Sequence, residues 1–345
     1  MRGIHRIIFG ILPLLLLAAC GPSVDDSYSS DGSSSGNNSS GGTQTGLGYT
    51  WETGTSGTTA GFRSVAYGNS RWVAVGTGAG IGVIGASSDG KTWTLTQENS
   101  TTYYYLHNVA FGNNTFVALS ESGILTSTDG IAWSAANVPT SNGVTPYPQN
   151  LVAAAYGNGL WVAVDDFFLT ENGLGIWTST DGLSWNILLL NTPYAQPTAM
   201  TYGNGTFVIV GYGGLLLTSP DGANWTNRSF TTGQAMMGVT YANGEFVAVT
   251  NDGEILTATD ATGQWTSNAA SVNGFNAIGY GGGVFLAVGS VSGAMVYVST
   301  DAQTWTNATS YLPNAIASSP LNGIAYGNGT FVAVGDSGAV AVSHQ

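Results

Sequence analysis

The side chains best suited to chemistry or to ligand contact are gathered in a few irregular stretches of this chain. They are Tyr104 with His107, Tyr147 between two prolines, the acidic pair Asp165 and Asp166 followed by Phe168 and Glu171, then Trp177, Tyr194 and Tyr212. Aromatic planes beside Asn, Asp and Glu suit a saccharide, whose C–H faces stack on rings while its hydroxyls take hydrogen bonds. They suit a protein interface equally well. Glycosidic hydrolysis would need two carboxylates about 5 to 9.5 Å apart across a cleft. Asp165, Asp166, Glu171, Asp252, Glu254 and Asp336 offer carboxylates, but no spacing pairs any two of them.

Other chemistries find less support. Beyond the first twenty residues the histidines are His107 and His344, and Cys20 is the single cysteine of the chain, so neither zinc-ligand spacing nor a Ser/His/Asp arrangement is visible. The Asp165-Asp166 pair lacks the ligand spacing of a calcium loop. Glycine-rich strings such as Gly76 to Gly80 follow a strand pattern but precede no helix pattern, which removes a nucleotide reading. No residue is assigned as catalytic, no metal site is assigned and no cofactor is expected.

A second set of acids is regularly spaced. Ser87-x-Asp89-Gly90-x-x-Trp93 recurs with Asp129 and Trp133, Asp181 and Trp185, and Asp221 and Trp225; looser copies run from Asp260 to Trp265 and from Asp301 to Trp305. An aspartate heading such a turn accepts hydrogen bonds from backbone N–H groups two and three residues on, and the glycine takes the positive φ. All six aspartates therefore read as structural. These motifs resemble the Asp-box, or BNR-like, repeats of sialidases, xyloglucan hydrolases and photosystem II assembly factors, although most copies have one residue fewer between Asp and Trp. Sialidases hold a carboxylate with three arginines. Here Phe62-Arg63-Ser64-Val65 keeps two residues of the first arginine motif, while Arg71 and Arg228 occupy other repeat positions. The resemblance thus implies a propeller that docks a partner more than it implies sialidase chemistry.

The elements that must position these groups are written in a nine-residue phrase that occurs seven times, starting at Tyr67, Phe111, Tyr156, Tyr202, Tyr241, Tyr280 and Tyr326. Each copy runs aromatic, Gly/Asn-rich turn, aromatic, short apolar strand, as in Tyr326-Gly-Asn-Gly-Thr-Phe-Val-Ala-Val334. Spacings of 39 to 46 residues between strand-and-turn units mark a β-propeller. Four strands are expected per repeat; in the second they are Leu106 to Phe111, Phe116 to Leu119, Gly123 to Thr126 and one opened by Trp133. The last repeat ends without its tryptophan, and Tyr49 to Thr53 matches the missing fourth strand. The expectation is an all-β, seven-bladed propeller whose N-terminal strand around Trp51 completes the last blade.

Residues ahead of the repeats read as an address. Arg2 and Arg6 precede an apolar run from Ile7 to Ala18, and Leu17-Ala18-Ala19-Cys20 resembles the lipobox of bacterial lipoproteins. That resemblance implies a signal peptide over 1–19, lipidation at Cys20 and, with Gly21 following, the outer membrane or cell surface. Residues 20–48, rich in Ser, Gly and Asn, read as a leash, and 49–345 as the propeller. Loss of Arg2 and Arg6 would leave four basic residues against 19 acidic ones, a balance that repels nucleic acid and anionic lipid heads. The expected protein is a monomeric, tethered propeller that binds an envelope or extracellular protein or glycan through its variable loops without catalysis. The alternatives are a polysaccharide hydrolase or lyase using loop carboxylates, and an envelope scaffold or assembly factor.

Overall fold

A computed structural model describes residues 45–100, 105–139, 150–166, 173–192, 195–230, 233–269 and 274–344. Cys20 and the signal segment lie outside these, as do Tyr104, Tyr147, Phe168, Glu171 and Tyr194. The described residues form seven four-stranded antiparallel sheets. Six are continuous in sequence; the first holds Gly61–Gly68, Arg71–Gly78, Ile81–Ser87 and Thr94–Ser100. The seventh is assembled from both ends of the domain, with Leu321–Gly327, Thr330–Gly335 and Val340–Ser343 followed by Trp51–Thr53 at the outer edge. The chain is therefore a seven-bladed β-propeller with the expected strand-exchange closure, Trp51 standing opposite Ser343 and Thr53 opposite Ala341.

Each blade starts with a hairpin whose turn demands positive φ. Asn69, Asn113, Asn158, Asn204, Asn243 and Asn328 adopt it at the first turn position and Gly282 takes their place in the sixth blade, with Ser70, Asn114 or a glycine next. Asn and Gly tolerate this region, and the resulting twist matches that of the paired strands. The innermost strands stand side by side around the axis, and the apolar faces of neighbouring blades close on one another. At six of the seven seams an aromatic side chain lies over the glycine that ends the preceding blade's innermost strand, and Ala242 takes that place in the fifth blade. A Cβ on Gly203, for instance, would come 2.0 Å from Cγ of Tyr241.

The outer turns hold the blade tryptophans. In the first blade Asp89 Oδ1 accepts N–H bonds from Lys91 and Thr92 at 2.8 Å each, and Ser87 Oγ accepts from the Gly90 N–H at 2.9 Å. Asp129, Asp181, Asp221 and Asp301 repeat the carboxylate pattern, while Asp260 is bonded by Thr262 alone. These backbone donors hold the five well-formed carboxylates below their usual range. The indole N–H of Trp93 then donates to Gly90 O at 2.8 Å, and Trp51 does the same to Gly48 O. Leu47, assigned by sequence to the leash, is instead buried beside the sixth and seventh blades, so the folded unit starts before Tyr49.

Candidate ligand-binding site

The connections into each innermost strand and those between second and third strands open at one end of the ring. There each innermost strand carries a β-bulge at its second described residue or the one beside it, marked by register shifts at Phe62/Ser64, Leu106/Asn108, Leu151/Ala153, Pro197/Ala199, Met236/Gly238, Phe275/Ala277 and Leu321/Gly323. The residues inside the bulges are Arg63, His107, Val152, Thr198, Met237, Asn276 and Asn322. A bulge leaves its extra residue outside the ladder and re-aims the side chain.

Three of these bulge residues stitch neighbouring blades. Thr198 Oγ1 donates to Met236 O at 2.6 Å, Asn276 Nδ2 to Leu321 O at 2.9 Å, and Asn322 Nδ2 to Phe62 O at 2.9 Å. Arg63 and His107 make no such stitch. Arg63 Nη1 sits 3.4 Å from Asp336 Oδ1, and that same carboxylate oxygen accepts from Asn322 Nδ2 at 2.8 Å. His107 is linked to the Asn150 side chain by a hydrogen bond, while its Nε2 is buried without a partner. Burial first, and then the Arg63 charge, pull its pKa down to about 4, so the ring is neutral at pH 7.

Asn150 also ties in the third blade, accepting the Asp166 N–H on its carbonyl at 2.9 Å. Asp166 is buried, and its Oδ1 has no hydrogen-bond partner among the described residues. Burial, with the neighbouring Asp165 charge, pushes its pKa up to about 6. Tyr212, half-buried on the fourth blade, is raised by burial and then by Asp166. Glu121, whose carbonyl accepts the Asn150 N–H, is also raised by burial. Arg63, His107, Asp166, Tyr212, Asn322 and Asp336 thus form one polar arc spanning the seventh to the fourth blade.

Two residues expected to contact ligand are occupied otherwise. Trp177 is 0% exposed and presents no ring face to solvent, because it lies on a third strand packed between blades. Asp165, also buried, accepts its indole N–H on Oδ2 at 3.0 Å and the Gly175 N–H on Oδ1 at 2.9 Å. All of Leu174–Ser179 except Thr178 is buried, since a strand packed between two blades is covered on both faces. Of the other expected contacts, His107, Asp166 and Tyr212 join the arc. Arg63 and the bulge asparagines Asn276 and Asn322 were missed as a set; a polar residue second or third in an innermost strand was the available clue. Arg71 packs toward the turn at Gly130 and Arg228 bonds Thr218 and Thr262 O, so the arginines do not converge. No group of three or more possible metal ligands occurs among the described residues.

A family model described as the DUF6242 beta propeller domain matches residues 49–167. No curated protein matches the chain. Solved structures similar to it include YCF48 from Cyanidioschyzon merolae, with 15% identity, TM-score 0.62 and coverage of 86% of this chain and 98% of that one. A structure described as YCF48 bound to D1 peptide gives 19% identity and TM-score 0.64, covering 86% and 97%. Virginiamycin B lyase from Staphylococcus aureus gives 13% identity and TM-score 0.69, covering 86% and 99%. At these identities the shared property is the propeller fold.

Proposed function

We propose that this protein is a surface-tethered lipoprotein whose propeller binds an envelope or extracellular protein or glycan at its loop end. The observation that carries the reading is the polar arc itself: polar and charged groups of five blades, Asp166 and Asn322 buried and the others partly exposed, line up at the end where the connections into the innermost strands open. A propeller of similar fold bound to a peptide supports the use of this architecture for docking. The leader, the lipobox ending at Cys20 and the following Ser/Gly/Asn-rich stretch support tethering. Among the described residues no helix is long and apolar enough to cross a membrane. The six turn aspartates fit a structural role, since their acceptor capacity is directed at their own turns.

The test is saturable binding of the protein to a glycan array or to purified envelope proteins, repeated with Tyr104→Ala and Phe168→Ala. Binding lost in these variants while the melting temperature holds supports the reading. Saturation that neither substitution alters sinks it, and no ligand of either class favours a purely structural envelope role. Incorporation of labelled lipid, abolished by Cys20→Ser, tests the tether.

A second reading, hydrolysis or elimination on a polysaccharide, draws on Asp166, a buried acid linked through Asn150 to His107. An acid titrating near 6 could exchange protons with substrate. Glycan release that disappears in Asp166→Asn would favour it over simple binding.

A further inference from the structure

Each blade ends in an outermost strand whose far edge faces away from its sheet, and the chain guards most of these edges. Ser134–Ala135, Thr226–Asn227 and Thr306–Asn307 are only two residues long. Trp51–Thr53 carries Glu52, ion-paired to Lys91 Nζ at 2.6 Å. Thr266–Ala269 is tied to the next blade by Asn268 Nδ2 donating to Gln303 Oε1 at 3.0 Å. Thr94–Ser100 is polar in composition at every position but Leu95. The third blade is the exception. Its outer strand, Asn186–Leu190, has five residues, no charge and three consecutive leucines, of which Leu188 is 38% and Leu189 60% exposed. Ile187 packs on the core between second and third blades and Leu190 on the core between third and fourth. A strand apolar on both faces has the composition of a sheet interior, yet this one lies at an edge.

The repeat fixes which backbone groups point outward. Three residues past the blade tryptophan, Gly54, Ala136, Arg228 and Ala308 donate their N–H groups inward, to Val340, Ile124, Leu216 and Val296 carbonyls at 2.8 to 2.9 Å. Leu188 holds this position in the third blade, opposite Ile176. Because direction alternates along a strand, Ile187 and Leu189 turn their N–H and C=O groups outward. At the position equivalent to Leu189, the seventh and second blades bond the next blade's turn, Thr55 N–H donating to Lys91 O at 2.7 Å and Asn137 N–H to Leu183 O at 2.6 Å. Leu189 makes no such bond among the described residues.

We infer that this edge pairs with the same strand of a second copy of the chain. About a two-fold axis at Leu188, antiparallel Asn186–Leu190 meets itself with Leu188 opposite Leu188 and Ile187 opposite Leu189. The residues with outward groups then face each other and exchange both N–H···O bonds, while Leu188 falls in the closer, non-hydrogen-bonded pair. Two blades become one continuous sheet, and the exposed leucines cover one another. Charge favours the same partner. A chain with 19 acidic and six basic residues repels its copies wherever acids meet, and this strand brings none to the contact. Asp181, in the turn leading into it, has Oδ1 engaged by the Leu183 and Ser184 N–H groups. A strongly charged partner strand would find no counter-charge on Asn186–Leu190. One short strand lies at the low end of interface sizes, below about 1,200 Å² in total, where association is weak and transient. Tethering to a surface, as in the proposed function, would raise the effective concentration of copies. The pairing itself does not depend on ligand binding at the loop end.

Sedimentation velocity and amide hydrogen exchange on the full chain, over a concentration series, test the pairing. A dimer should appear as concentration rises, with protection gained at the Ile187 and Leu189 amides. Leu188→Lys sets two like charges opposite each other on the axis and should weaken association by about tenfold or more, as should Leu188→Glu. Mixing the two variants should restore association, because Lys then faces Glu; both changes fall on an exposed side chain, so the melting temperature should hold. Association undiminished in the single variants, or not restored in the mixture, would overturn the inference. So would a chain that stays monomeric throughout, protection of Ile187 and Leu189 that is the same at all concentrations, or protection that arises only when a different protein is added.

Discussion

Gly327 of the seventh blade lies directly beneath Tyr67 of the first: a Cβ built on the glycine would fall 2.2 Å from the ring's Cγ. The two residues are 260 positions apart, and their contact closes a cycle that runs through Gly68 and Phe111, Gly112 and Tyr156, Gly157 and Tyr202, and onward. Overpacking a seam of this kind costs about 1–3 kcal/mol. Gly327→Ala should therefore lower the melting temperature by several degrees, at roughly 2–4 °C per kcal/mol. The fifth blade has Ala242 at this position, packed with Tyr280. Ala242→Gly should change the melting temperature by less than Gly327→Ala does. Calorimetric melts of both variants check the pair.

The strand exchange should govern the stability of the whole ring. Trp51 is 8% exposed, and its outer strand is further tied by Gly48 N–H donating to Ser343 Oγ at 2.7 Å. Removing a buried tryptophan costs about 3–5 kcal/mol. Trp51→Ala should lower the urea midpoint accordingly, and a chain beginning after Thr53 should exchange amide protons rapidly in Val340–Ser343, which would lose its neighbour. Unchanged protection there would show that the seventh blade holds without its borrowed strand.

Asp165 should matter for folding before it matters for ligand. Trp177→Phe removes the indole N–H from a buried carboxylate oxygen, at a cost of about 1–3 kcal/mol. Gly175→Ala should be worse, because its Cβ would fall 2.1 Å from Asp165 Oδ2. Denaturant midpoints measure both. A Trp177→Phe variant as stable as the parent would show that the bond contributes nothing net.

Two buried groups of the arc should give opposite pH dependences. Asp166 is raised in the folded protein to about 6, so its contribution is full below the ordinary carboxylate range and is lost as pH rises through about 6. His107 is lowered to about 4; its neutral form is favoured by the fold, so stability is lost as pH falls from about 6.5 toward 4. Asp166→Asn should accordingly gain stability over the parent at pH 7–8 and show little gain near pH 4. His107→Gln should flatten the loss on the acid side. Urea titrations across pH 4 to 8 separate the two; parallel curves for parent and variants would mean that neither group is as buried as its surroundings indicate.

Much of the architecture was legible because the fold repeats. A phrase written seven times averages out local ambiguity, and the orphaned tryptophan at residue 51 announced the missing strand. The candidate site was legible only in fragments. His107, Asp166 and Tyr212 could be singled out as polar or aromatic residues in irregular stretches, yet Asp165 and Trp177 looked equally suitable and turned out to satisfy each other. Arg63 was noticed as part of a broken motif, and Asn322 not at all, because a bulge asparagine has no composition signal of its own.

The seven-fold ring, its blade count and its closure were determined by the sequence alone, since spacing, turn residues and strand alternation are local properties that survive without coordinates. Which polar groups meet at the loop end was decided by the tertiary structure. Arg63, His107, Asp166 and Asn322 come from four blades, and only closure of the ring sets Asn322 against the Phe62 carbonyl, 260 residues away in the chain. Burial, which selects the unpaired atoms, is likewise a property of the assembled blades and of no single segment.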